Sequence, residues 1–181
     1  MQILKSEPNS GQTLVEVLVA IGLTTLALVA ILSIALSNLS MGGQSTERTI
    51  AVFLVREGLE LTKNVRDSQW LNPNKVWPYG LEEGNWIIDA STYSLSSADN
   101  SDIVQCDNCQ LYLTSNNFYV HSPAGNSPTI FKRMVTISAG DNLGDVCDNN
   151  CEKKIRSEVY WIEHNRPHQI ILEVRLTNWQ K

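Results

Sequence analysis

The sequence predicts an α+β protein in which one long N-terminal helix is followed by an antiparallel β-sheet. Three observations lead to this prediction. A long uncharged apolar run lies near the N-terminus, apolar residues then recur at helical spacing, and segments with alternating apolar and polar residues follow in the C-terminal half. A helix followed by an antiparallel sheet belongs to the α+β class.

The apolar run extends from Val17 to Leu36 and contains twenty residues without a charge. At 1.5 Å per residue, a helix of this length reaches about 30 Å, which is enough to cross the hydrocarbon core of a bilayer. A secretory signal peptide has a shorter apolar run of about 7–15 residues followed by a small-residue cleavage site, so it fits this run poorly. Hydropathy alone does not exclude a plain signal anchor.

The helical pattern continues beyond the apolar run. Gly42 and Gly43 lower the helix propensity locally, by about 1 kcal/mol each. Apolar residues then recur at helical spacing, and Asn72 and Pro73 end the pattern. The sequence therefore predicts one helix over residues 13–68, which is apolar in its first half and amphipathic in its second.

The segment after the helix contains weaker patterns. Residues 73–107 are rich in polar residues, and we expect Trp77 and residues 86–88 to be buried anchors in a loop-rich connection. Residues 111–113 and 118–120 are apolar and flank a polar turn, which predicts a short β-hairpin.

The C-terminal part predicts three strands with a period of two. They are expected over residues 131–138, over residues 155–161 and over residues 170–177, with residues 165–167 forming the turn between the last two. Together they predict an antiparallel sheet with one buried face, in a globular β-rich head that covers residues 72–181.

Composition and motifs give no support to an enzyme or to a nucleic-acid-binding protein. The formal net charge is −5, whereas nucleic-acid binding usually needs a basic face. We find no phosphate-binding glycine loop and no zinc-protease motif. His121, His164 and His168 lie in or near predicted turns, and we expect each to be solvated. The sequence predicts no catalytic residue and no cofactor, apart from a weak calcium candidate discussed below.

A short motif stands directly before the apolar run. The hexapeptide from Gly11 to Glu16 reads Gly-Gln-Thr-Leu-Val-Glu. It resembles the prepilin processing motif of type IV pilins, in which a peptidase cuts after a glycine and a glutamate stands fifth in the mature chain. Gln12 stands in the first mature position, where the family usually has phenylalanine or methionine.

The resemblance implies a processing and assembly pathway. Residues 1–11 would be a short leader, cut by a prepilin peptidase after Gly11, and Gln12 would become the N-terminus and be N-methylated. Residues 12–39 would form the transmembrane and filament-core helix. Residues 40–71 would be its amphipathic continuation and would pack on the antiparallel β-sheet of the head, as in a pilin. Glu16 would pair with the free amine of a neighbouring subunit, since a carboxylate at the head of a membrane helix is costly unless it is paired.

The resemblance also implies a function, partners and a location. The leading interpretation is a minor pilin, a non-enzymatic structural subunit of a type IV pilus. Its partners would be the peptidase, other pilin subunits, the pilus assembly platform and, before assembly, cytoplasmic membrane lipid. The chain would cross the cytoplasmic (inner) membrane once, with its head outside the cytoplasm, and would later reach the cell-surface pilus.

Two other functional classes stay open. A pseudopilin of a type II secretion or DNA-uptake system would use the same anchor. An anchored extracytoplasmic binding protein that does not polymerise would need neither Gly11 nor Glu16, and an exported hydrolase would need catalytic residues that the sequence does not offer.

Four cysteines form two short pairs, Cys106 with Cys109 and Cys147 with Cys151. Such spacing indicates zinc in a reducing compartment and disulfides in an oxidising one, so a head outside the cytoplasm favours disulfides. Of the three possible connectivities, we favour the two local pairs, which would stiffen two exposed loops.

An oxygen-rich loop is the weak calcium candidate. Asp141, Asp145 and Asp148 lie close together in the sequence, as acidic residues do in the calcium loops of some secretion pseudopilins. Their spacing does not match an EF-hand loop.

Overall fold

The structure is a computed structural model of the chain, and it describes residues 10–72, 77–140 and 152–178. Helix α1 spans Ser10–Trp70. This confirms the predicted long helix, which extends slightly further at both ends than the pattern over residues 13–68 indicated. The chain divides between Thr46 and Glu47 into two compact units, which are described separately.

The second unit contains all the strands that the structure describes. Their bounds are β1 Gly84–Ile88, β2 Leu95–Ser97, β3 Gln110–Leu113, β4 Tyr119–Val120, β5 Ser127–Ala139, β6 Glu152–Glu163 and β7 Arg166–Thr177. Every pair of neighbouring strands is antiparallel. The central strand β5 pairs with β6 along one edge and with β1 and β3 along the other. The chain is therefore α+β, with a seven-stranded sheet in its described part.

The inward face of the sheet carries the second half of α1. Strands β5 and β6 are long and alternate in burial, so their apolar side chains collect on one face. Leu61 and Val65 of α1 pack in one core cluster with Val135 and Ile155 of the sheet. A second cluster joins the preceding helix turns to the other end of β6, with Ala51, Leu54 and Val55 from α1 and Phe131, Val159 and Trp161 from the strands. These two clusters hold residues 51–65 of the helix on the sheet.

The opposite face of the sheet is covered by the segment between β2 and β3. Ile103, Cys106 and Cys109 from this segment are buried against Met134 of β5. Lys132 donates from Nζ to the carbonyl oxygens of Val104 and Cys106, both at 2.8 Å. The sheet of the second unit thus lies between a helix and an ordered loop.

Two expectations for the head were wrong in detail. Residues 86–88 lie in strand β1 and not in a loop, and β2 pairs with them. Strand β1 pairs with β5, and both of its faces carry covered apolar side chains: Ile88 belongs to the inward core and Ile87 packs on the outward cluster. Because both faces are covered, β1 shows no alternation in the sequence.

The turn between β6 and β7 is also displaced from the expected position. It is formed by His164 and Asn165, with φ angles of 48° and 60°, while Arg166 and Pro167 already belong to β7. Two consecutive positive φ angles are typical of a two-residue type I′ hairpin turn, in which asparagine is favoured. The β3–β4 hairpin and the strands β5, β6 and β7 confirm the other strand predictions.

Candidate functional site

The apolar segment of α1 is the first candidate site. Thr13–Asn38 has 26 residues and a mean hydropathy of 2.7, and it is long and apolar enough to cross a membrane. Its large side chains are exposed to a similar degree on all sides, from Val19 at 55% to Leu26 at 69%. A core helix of a soluble domain buries at least one face against its own chain. This segment therefore fits a single membrane crossing, in which lipid or other chains surround its side chains.

Polar side chains inside this segment are bonded to the helix backbone. Thr24 donates from Oγ1 to the carbonyl oxygen of Ala20 at 2.9 Å, and Thr25 donates to that of Gly22 at 2.9 Å. These bonds remove the need for water as a partner, so both threonines are compatible with an apolar environment.

Glu16 is the single charged residue within Thr13–Asn38. It lies in the second turn of α1, and its side chain is exposed. Gly11 and Gln12 belong to the helix backbone, and residues 1–9 of the expected leader lie outside the described residues. The backbone thus brings the three motif residues together at the start of the apolar helix.

A buried ionic cluster in the head is the second candidate site, and sequence reasoning missed its central residue, Arg133. This side chain is fully buried, and its guanidinium donates to Glu57 Oε2 at 2.7 Å and to the carbonyl oxygen of Ile88 at 2.6 Å. Asp89 lies 3.8 Å from the same guanidinium. The cluster connects α1, β1 and β5.

His121 completes this cluster, which corrects the expectation that it is solvated. It is buried, with Nδ1 2.5 Å from Asp89 Oδ1 and Nε2 3.2 Å from the carbonyl oxygen of Arg133. Burial alone would raise the pKa of Asp89, but the hydrogen bond and charge of His121, together with the charge of Arg133, outweigh it and hold that pKa below its usual value. Both ring nitrogens of His121 face oxygen acceptors. The ring is therefore engaged in structure, and no nucleophilic side chain is among its hydrogen-bond partners in the described residues.

The other two histidines differ from each other. His164 lies in the β6–β7 turn with its side chain 71% exposed, as predicted for a turn histidine. His168 is half-buried, and its ring stacks on Trp161 with the centroids 5.2 Å apart.

The first cysteine pair forms the local disulfide that the sequence favoured, between Cys106 and Cys109. Both residues are fully buried, so the bridge does not lie in an exposed loop as expected. The bridge lies beneath the segment that covers the outward face of the sheet, where it packs with Ile103 and Met134. Cys147 and Cys151 lie outside the described residues, and their pairing stays a prediction.

The described residues contain no group of three or more histidine, cysteine, aspartate or glutamate side chains placed to hold a metal ion. The calcium candidates Asp141, Asp145 and Asp148 lie outside the described residues. Calcium binding by this loop therefore also stays a prediction.

Comparisons with protein-family models, with curated proteins and with solved structures gave no match to this chain.

Proposed function

We propose that the chain is a minor pilin of a type IV pilus, a structural subunit that a prepilin peptidase cuts after Gly11. The observation that carries the proposal is the position of the prepilin-like motif. Gly11, Gln12 and Glu16 stand at the start of a helix whose segment Thr13–Asn38 has no other charge and is long enough to cross a membrane.

The apolar segment and the unit that begins at Glu47 suit different surroundings. The exposed apolar side chains of Thr13–Asn38 need lipid before assembly and the helices of other subunits after it, because water is a poor solvent for so large an apolar surface. The unit that begins at Glu47 has its own core and remains outside the membrane. Its disulfide supports an oxidising compartment for the head.

Glu16 gives the assembly step its specificity. An acidic side chain costs about 2.5–3.5 kcal/mol at the centre of a membrane helix, and less towards the ends, so an unpaired Glu16 opposes burial. Cleavage after Gly11 creates a free amine on Gln12. The amine of one subunit then pairs with Glu16 of its neighbour in the filament, and this pairing favours the assembled state over the membrane-inserted one.

Processing is tested by co-expression with a prepilin peptidase and mass spectrometry of the intact chain. We expect the wild type to lose residues 1–11 and Gly11→Val to keep them, because a β-branched side chain crowds a site shaped for glycine. Gly22→Val is the matched control, since a Cβ at Gly22 meets no atom within 4 Å in the chain. It should be processed like the wild type. Retention of residues 1–11 in the wild type would contradict the proposal.

Polymerisation is tested with Glu16→Val in cells that assemble the filament. The variant should insert stably into the membrane, because valine in place of the carboxylate makes the segment more apolar. It should nevertheless be depleted from harvested filaments. Ser33→Val changes an uncharged residue of the same segment and should assemble normally. Incorporation of Glu16→Val at the wild-type level would contradict the pairing role and would favour an anchored protein whose head acts without polymerising.

A further inference from the structure

Strand β5 changes its neighbour along one edge close to Arg133. Strand β1 pairs with β5 up to Val135, and β3 begins its pairing at Lys132. The backbone N–H of Arg133 donates to the carbonyl oxygen of Cys109 at 2.9 Å, so the carbonyl of Arg133 points towards the same edge. That carbonyl therefore lies where β1 has ended and β3 begins, and it needs a donor from outside the two regular ladders.

His121 supplies this donor from the end of β4. Its Nε2 lies 3.2 Å from the carbonyl oxygen of Arg133, and its Nδ1 lies 2.5 Å from Asp89 Oδ1. The backbone N–H of His121 is also 3.1 Å from each of the two carboxylate oxygens of Asp89, to which it donates. One buried residue thus joins the end of β4 to the residue that follows β1 and to the central strand β5.

The two ring contacts determine how many protons the ring of His121 carries. A carbonyl oxygen and an ionised carboxylate only accept hydrogen bonds, whereas a neutral imidazole has one N–H donor and one acceptor nitrogen. Asp89 is the ionised partner, because its carboxylate accepts the backbone N–H of His121 and lies 3.8 Å from the guanidinium of Arg133. A neutral ring would therefore turn one lone pair towards an oxygen atom, and only a ring with two N–H groups makes both contacts.

The second proton also balances the charges of the buried ionic cluster. Among the described residues, the charged side chains that contact His121 or its partners are those of Glu57 from α1, Asp89 after β1 and Arg133 from β5. With an imidazolium ring, two cations face two carboxylates. With a neutral ring, the guanidinium of Arg133 alone would face both carboxylates, and one negative charge in a partly buried site would lack a counter-charge.

We propose that His121 is a pH-dependent latch of the head, closed while both of its ring nitrogens carry a proton and released when the ring loses one. We call this contact the His121 latch. In the closed form, the ring joins Asp89 to the Arg133 carbonyl and thereby holds the end of β4 against β1 and β5. Release leaves this carbonyl without its donor. The latch lies within the second compact unit, and its role does not depend on the proposed pilin function.

The direction of the pH dependence follows from counting protons. The closed latch binds one proton more than an open latch with a neutral ring, so it is lost as the pH rises through the range in which histidine titrates, about 6.5 for an unperturbed side chain. Burial alone would raise the pKa of Asp89, but the hydrogen bonds and charge of His121 and the charge of Arg133 hold it below its usual value. Asp89 therefore stays ionised in mild acid, and the latch is closed from about pH 4 to about pH 6.

NMR spectroscopy of the uniformly ¹⁵N-labelled full chain in detergent micelles tests the latch. The ¹⁵N shifts of the ring count its N–H groups, and the ring signal that disappears in a His121→Asn variant identifies His121. Hydrogen exchange of the His121 backbone N–H, relative to the unfolded chain at each pH, reports its bond to Asp89. Between pH 5 and pH 8, we expect the ring to lose one proton and the backbone N–H to lose protection several-fold, with the same midpoint.

Two variants complete the test. In His121→Asn, the amide nitrogen replaces Nδ1 as a donor to Asp89 at any pH, so protection of the N–H at position 121 should no longer vary with pH. His164→Asn changes the exposed histidine of the β6–β7 turn, where asparagine suits the φ angle of 48°, and should keep the wild-type behaviour.

The wild type decides the outcome even if His121→Asn does not fold. A folded head whose His121 ring carries only one N–H at pH 5 would overturn the proposal. So would a ring that loses its proton without any change in the protection of its backbone N–H, or a wild-type pH dependence that persists in His121→Asn.

Discussion

Arg133 lies at an inward position of β5, between Phe131 and Val135, so a full positive charge is buried in the apolar face of the sheet. Such a charge is tolerated only when other groups replace its water. Glu57 of α1 and the Ile88 carbonyl of β1 do so at 2.7 and 2.6 Å, and Asp89 lies close by. The bonds of one side chain therefore fix the helix and an early strand to the central strand.

Replacing Arg133 with methionine should lower the free energy of unfolding by about 1–3 kcal/mol, because it leaves the buried Ile88 carbonyl and the partly exposed Glu57 without their donor. Lys154→Met is the matched control. Lys154 pairs with Glu173 at 3.0 Å on a partly exposed part of the sheet, so its loss should cost about 0–1 kcal/mol. Urea unfolding, monitored by tryptophan fluorescence, measures the free energy of unfolding of both variants. Similar losses for both variants would show that the cluster does not hold the head together.

The sequence carried a signal for Arg133 but none for its partners. Residues 131, 135 and 137 are apolar and share one face of a predicted strand, so an arginine at 133 had to point into the core. The burial of His121 depends on Asp89, which is 32 residues away in the chain. A local pattern does not contain a contact of this range, and the histidine was therefore assigned to the solvent.

Helix α1 lies close to strand β6 at Gly58. A Cβ at this position would lie 2.5 Å from Ser157 Oγ and 3.4 Å from both Ser157 Cβ and Arg133 Cδ. Glycine lowers helix propensity by about 1 kcal/mol relative to alanine, so its presence in the middle of a helix needs a reason. The contact with β6 supplies it, because a Cβ at position 58 would clash with the Oγ of Ser157.

Gly58→Ala should therefore destabilise the head by about 1–3 kcal/mol, despite the better helix propensity of alanine. Ser157→Ala removes the clashing Oγ, which is buried and has no hydrogen-bond partner in the described residues, so alone it should cost little. The double variant should recover most of the stability lost by Gly58→Ala, with a favourable coupling energy in a double-mutant cycle. Additive effects of the two substitutions on the free energy of unfolding would show that Ser157 does not limit how closely helix α1 approaches strand β6.

Elements with a clear period were predictable, and elements without one were not. The second half of the helix and strands β5, β6 and β7 each cover one face, which imposes a period of 3.6 or of two on the sequence. Strand β1 has apolar side chains covered on both faces, and β2 has only three residues, so neither leaves a periodic pattern. The covering of the outward face by the disulfide-containing segment follows from tertiary packing, which the spacing of two cysteines does not encode.

At the scale of the whole molecule, the two units have opposite solvent requirements. Among the described residues, the three buried core clusters lie within the unit from Glu47 onwards, whereas the apolar side chains of Thr13–Asn38 are exposed. A chain truncated to begin at Ser45 should therefore fold, stay in solution without detergent and be monomeric, because the apolar surface has been removed and the cores have not. A chain that begins at Gln12 is the control and should need detergent. Circular dichroism of the truncated chain should show one helix with a larger share of β-structure. A mainly helical spectrum, or a requirement for detergent, would show that the head does not fold independently of the apolar segment.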